Sequence, residues 1–123
     1  MDRTVTRRIR LPLAPKGRSA ATEEDVTLAR LAKALAHPAR VQILRLLLSR
    51  GECMCGGIVD RIPLAQATVS QHLKVLKEAG WIQGTIDGPR VCYCAVPETA
   101  RRFLALAGEL AATTERTKER RKP

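Results

Sequence analysis

Between Thr22 and Leu110 the apolar residues change their spacing twice, and that switch limits the folds open to the chain. Up to Ala79 they recur every three or four residues, as on one face of a helix. From Trp81 to Val96 the chain has strand–turn–strand chemistry, and after Pro97 helical spacing returns. Thr22 can N-cap a first helix, Asp25 suits its positive end, and Val26, Leu28, Leu31, Ala32 and Leu35 form its stripe. His37-Pro38 ends that helix. Pro38 then suits the first turn of a second one, which buries Val41, Ile43, Leu44, Leu47 and Leu48 and stops at Gly51. Glu52 to Cys55 is short and strand-like. Gly56 to Ile62 reads as a brief helix stopped before Pro63, and Thr68 to Ala79 as another, with Val69, Leu73 and Leu76 inward and Gly80 as cap. Asp87-Gly88 is the turn signal between two strands, Trp81 to Ile86 and Arg90 to Val96. Phe103, Leu106, Ala107 and Leu110 stripe a last helix that fades into charged residues. The predicted order is α-α-β-α-α-β-β-α, a mainly α fold with a small β-sheet.

At 123 residues there is room for one domain, expected over 22–112, between a flexible basic arm at 1–21 and a basic tail at 113–123. The formal charge of +10 sits mostly on those ends: residues 1–20 hold six Arg or Lys against one Asp, and 113–123 hold five against two Glu. Such arms can hold phosphates without sequence preference, although many only aid solubility. No apolar run is long enough to span a bilayer and none forms a signal peptide, so a cytoplasmic protein with no membrane partner is expected.

Two short helices joined by a tight turn and followed at once by a hairpin make a winged helix-turn-helix. The second helix, Thr68 to Ala79, then reads double-stranded operator DNA. Gln66, Thr68, Ser70, Gln71 and His72 supply donors and acceptors for base edges, and Lys74 and Lys77 suit phosphates. Arg90, beside the Gly88-Pro89 hairpin tip, can reach the backbone or a minor groove. Taken singly, Thr68 could simply cap a helix and His72 or Lys77 could simply be solvated.

The run Ala36-His37-Pro38-Ala39-Arg40-Val41-Gln42-Ile43-Leu44 resembles a helix of the arsenical-resistance repressor (ArsR/SmtB) family. Thr68 to Gly80 is similar to that family's recognition helix, and the likeness covers about residues 24 to 110. It departs at Ala65, where many members carry a capping serine. The resemblance implies a homodimer formed by the first and last helices, and the stripes at Leu28, Leu31, Leu35, Phe103, Leu106 and Leu110 are compatible with it.

The cysteines fall as two matched pairs, Cys53-Met54-Cys55 and Cys92-Tyr93-Cys94. Residues two apart on an extended segment share a face, so each pair presents its sulfurs together. Winged domains commonly set the segment before the helix-turn-helix beside the return strand of the wing, which would bring three or four sulfurs together. Such a soft cluster suits As(III) or Sb(III), and less well Zn(II) or Cd(II). The first pair also resembles the Cys-x-Cys box of arsenic- and cadmium-responsive members of the family; the wing pair lies outside that box. The reading is a repressor that needs no cofactor to bind DNA and is released when such an ion binds Cys53, Cys55, Cys92 and Cys94. One alternative is a redox or reactive-sulfur sensor of the same fold. Another is a non-sensing DNA-binding or interaction module whose cysteines only pack. No nucleophile–base–acid set points to an enzyme.

Overall fold

The computed structural model describes residues 20–121. Its elements are α1 (Glu23–Ala34), α2 (Pro38–Arg50), α3 (Ile58–Arg61), α4 (Gln66–Ala79), β1 (Ile82–Asp87), β2 (Arg90–Ala95) and α5 (Pro97–Arg121). The expected basic arm lies, except for Ala20 and Ala21, outside the described residues. At the other end, helix α5 runs on through Arg121 without a break at residue 112. Among the described residues no helix is long and apolar enough to cross a membrane.

Local chemistry sets the helix starts. Thr22 and Asp25 form a reciprocal capping box: the Asp25 N–H donates to Thr22 Oγ1 at 3.1 Å and the Thr22 N–H to Asp25 Oδ2 at 3.0 Å. Helix α2 begins at Pro38, and the ring of His37 caps it, Nδ1 accepting the Ala39 N–H at 3.0 Å. Helix α4 starts at Gln66, two residues before the expected Thr68, and its N-cap Ala65 offers no side-chain bond. At its far end the Trp81 N–H bonds the Leu76 carbonyl and the Gly80 N–H bonds that of Lys77. This closure requires the left-handed backbone that Gly80 adopts, φ 93°.

Helix α3 is four residues long, shorter than Gly56 to Ile62. The expected strand at Glu52 to Cys55 is a single antiparallel bridge, Met54 opposite Tyr93. The hairpin tip is at Gly88-Pro89, as expected, but Asp87 belongs to the strand and not to the turn. Asp87 still pairs with Arg90, so the loop is Gly88-Pro89. Proline holds a negative φ, which excludes the doubly positive turn that Asp-Gly would make; Gly88 alone takes the positive φ, 63°.

Ile43, Leu47, Val69, Leu76 and Ile82 are the most completely enclosed side chains, so α2, α4 and the start of the wing share one core. Trp81 ties it to both terminal helices. Its indole N–H donates to the Leu31 carbonyl of α1 at 3.0 Å, and its ring lies 5.4 Å from Phe103 of α5. Its carbonyl accepts the Val96 N–H at 3.0 Å, closing the hairpin base. Not every stripe residue is covered: Val26 and Leu110 are 58% and 61% exposed, and so is Leu104, at 71%. Replacing Trp81 with Ala is expected to cost about 3–5 kcal/mol of unfolding free energy in urea, as for other large core truncations. A loss under about 1 kcal/mol would show that the indole does not bind these elements together.

Candidate nucleic-acid interface and sulfur cluster

Helix α4 buries Val69, His72, Leu73, Leu76 and Ala79. Gln66, Thr68, Ser70, Gln71, Lys74 and Lys77 are all exposed, so six of the seven α4 residues assigned to DNA are open to solvent. Arg90 is exposed at the wing turn, where its Nη2 meets Asp87 Oδ2 at 3.1 Å.

His72 is the exception and corrects the sequence reading, because a side chain 8% exposed cannot offer its ring to a base edge. It lies three residues after Val69 and four before Leu76, on the helix's buried stripe, a position visible in the sequence itself. Its ring packs 4.4 Å from that of His37, and its Nδ1 stands 3.3 Å from Arg40 Nη1. A guanidinium only donates, so Nδ1 accepts and the ring proton sits on Nε2, which is buried without a partner among the described residues. Arg40 is held in turn by Nε donating to the Ala34 carbonyl at 2.6 Å. Burial, then the positive charges of His37 and Arg40, push the His72 pKa below 6.5.

The unfolded chain therefore binds more protons than the folded one once the pH falls below about 6.5. Stability is expected to drop through that window, and the His72→Leu variant to lose less of it than the parent between pH 7 and pH 5.5 in urea melts. Equal acid sensitivity in the two proteins would remove His72 as the cause.

The cysteine segments are neighbours. Met54 and Tyr93 exchange both backbone hydrogen bonds, each 2.9 Å. The residues on either side are then the non-hydrogen-bonded pairs of an antiparallel ladder, where Cα atoms approach most closely. Cys53 faces Cys94 at 4.2 Å between Cα atoms and Cys55 faces Cys92 at 3.9 Å. Each facing pair is joined as a disulfide, the state that the redox alternative allows and that differs from the ion-binding thiolates of the main reading. The pleat turns Met54 into the core, where it is buried, and puts the sulfurs on the other face. Cys53 is exposed, Cys55 and Cys94 are half-buried, and Cys92 is buried.

The sulfurs form two pairs rather than one knot. Among the described residues, the potential ion ligands that gather as three within 4.8 Å are Cys55, Cys92 and Asp87, not three sulfurs. Asp87 carried no sequence signal of its own, since it comes into reach only through the register of β1 on β2.

A family model described as a helix-turn-helix domain matches residues 35–82, from the end of α1 to the first residue of the wing. An uncharacterized HTH-type transcriptional regulator of Methanocaldococcus jannaschii is 35% identical over 83 residues, covering 67% of this chain and 92% of that protein. A crystal structure of an ArsR family transcriptional regulator superposes with a TM-score of 0.65 at 25% identity, covering 79% of this chain and 97% of the other. The chain belongs to the ArsR/SmtB family. It is a DNA-binding winged helix-turn-helix regulator of transcription, as its relatives are, and not an enzyme. The solution structure of a homodimeric winged helix-turn-helix DNA-binding domain from Mycobacterium bovis is 30% identical, covers 76% of this chain and 90% of that one, and has a TM-score of 0.56. A crystal structure titled as a possible transcriptional regulator for arsenical resistance matches at 28% identity and a TM-score of 0.57, over 66% of this chain and 82% of that one.

Proposed function

We propose that this family member is a homodimeric repressor that leaves its operator when a thiophilic ion, arsenite or antimonite, binds the reduced sulfurs of Cys53, Cys55, Cys92 and Cys94. The observation that carries the reading is the pair of facing cysteines on each side of the Met54–Tyr93 bridge. The likeness to a regulator titled for arsenical resistance supports the choice of ion. Arsenous acid condenses with three thiols, each sulfur displacing one hydroxide as water. No three sulfurs lie close enough now. Taking up the ion therefore draws one pair toward the other, and the segment leading into α3 shifts against the wing strand. An ion that prefers that pose weakens DNA binding, and DNA weakens ion binding by the same factor.

The homodimer is supported by the homodimeric relative and by the apolar side chains of Val26, Leu104 and Leu110, exposed on α1 and α5. Two copies of α4 then read half-sites about one helical turn apart. On α4, Gln66, Thr68, Ser70 and Gln71 read bases, Lys74 and Lys77 hold phosphates, and Arg90 holds the backbone or minor groove at the wing.

A second reading has its own support: in this structure both pairs are disulfides. Oxidation of two facing thiols by hydrogen peroxide forms one S–S bond and two waters, so the same face can report oxidants.

An operator selected from random duplexes tests these readings by anisotropy titration. Arsenite is expected to weaken binding by the reduced protein roughly 5–150-fold, the usual range of such couplings, and Cys92→Ser to abolish the response. A response to peroxide without one to arsenite favours the oxidant reading, and indifference to both removes sensing. In the same assay, Lys74→Ala is expected to weaken all duplexes alike and lower the salt slope by about 1, whereas Gln71→Ala relaxes sequence preference.

A further inference from the structure

We infer that Asp87 is an ion ligand, and that Cys55, Cys92 and Asp87 of the reduced protein form a site for a divalent ion of the zinc or cadmium class, apart from the Cys53–Cys94 pair. The inference rests on the reading that the cysteines bind ions; it adds Asp87 as a ligand and assigns the divalent ions to one sulfur pair.

Cys92 stands in the middle strand of a three-segment ladder. On one edge it faces Cys55 across the Met54–Tyr93 bridge, and on the other it pairs with Thr85 of β1. Asp87 lies two residues beyond Thr85, so the pleat brings it to the same face, on the diagonal from Cys92 and within reach of its side chain. The ligand atoms of Cys55, Cys92 and Asp87 all lie within 4.8 Å of one another. Two sulfurs on a tetrahedral zinc stand about 3.8 Å apart, given Zn–S bonds of about 2.3 Å. The site thus needs only small adjustments once its disulfide is opened, in contrast to the movement that three sulfurs would require. Opening takes two electrons and two protons: a dithiol gives both and becomes a disulfide, whereas a phosphine gives the electrons and becomes its oxide while water supplies the protons; either way two thiols result. Ion binding then releases both thiol protons and leaves two thiolates and one carboxylate on the ion, with solvent as the fourth ligand.

The donor set decides the class. Two thiolates and a carboxylate oxygen match borderline divalent ions, whereas trivalent arsenic favours an all-sulfur pyramid. Asp87 is not idle meanwhile: its carboxylate is paired with Arg90, both side chains being more than half exposed. An incoming ion competes with that guanidinium. An exposed pair is weak, so Arg90→Gln is expected to tighten ion binding by no more than about fivefold.

The test uses the full chain, reduced with a phosphine, desalted anaerobically, and titrated with Cd(II) followed by thiolate charge-transfer absorbance and with Co(II) followed by its ligand-field bands. Asp87→Ala is expected to weaken Cd(II) binding about tenfold or more, and Asp87→Asn to change the Co(II) bands while the fold, read by circular dichroism, is kept. The Cys53→Ser/Cys94→Ser protein should bind Cd(II) within twofold of the parent, and the Cys55→Ser/Cys92→Ser protein should lose it. Parent-like Cd(II) affinity in both Asp87 variants, or loss of binding in the Cys53/Cys94 variant, overturns the inference. Arsenite binding that persists in that event leaves the proposed sensing function standing; a parent protein that binds neither ion ends both.

Discussion

Two hydrogen bonds between Met54 and Tyr93 hold the rest of the functional geometry in place. They join the short segment before the helix-turn-helix to the return strand of the wing, two parts of the chain separated by α3, α4 and β1, and the two disulfides flank them. They also set the register. A slip by one residue would turn the cysteines into the core and Met54 out of it. Burial of Met54 opposes that slip, so an apolar side chain on one face keeps the sulfurs aligned on the other.

The DNA-reading helix depends on a different balance. Apart from Ala67 its outward face is polar or charged, and its inward face seats it against α1, α2 and β1. His72 interrupts that inward face with a buried imidazole. Arg40 fills one side of the ring, and the same guanidinium group reaches back to the end of α1 through the Ala34 carbonyl. A polar residue among aliphatic ones therefore links the recognition helix to the two helices behind it, through hydrogen bonds whose direction demands a neutral ring.

The sulfur face and the exposed turn proposed to contact DNA are neighbours at the wing. Cys92 and Arg90 are two residues apart on β2, and Asp87 touches both neighbourhoods from β1. Under the proposed function, the sulfurs and the exposed Arg90 are bridged by Asp87 alone, so no long-range pathway is needed.

Much of this is written in the chain itself. The period of the apolar residues, with Thr22, Pro38, Gly80 and Pro97 as punctuation, suffices for the helices, their order and the hairpin, because these depend on near neighbours. The exposure of the six α4 residues expected to meet DNA follows from the same periodicity, and His72 would have been placed inward had its spacing from Val69 and Leu76 been given more weight than its polarity. The matched Cys-x-Cys pairs suggest a shared face, and the winged order suggests which segments meet. Tertiary structure alone decided the register, since strand pairing at a distance of some forty residues leaves no local trace. From that register come the division of the sulfurs into two facing pairs, their joining as disulfides, and the arrival of Asp87. The tip at Gly88-Pro89, by contrast, was legible locally, because the proline ring excludes the Asp-Gly turn geometry.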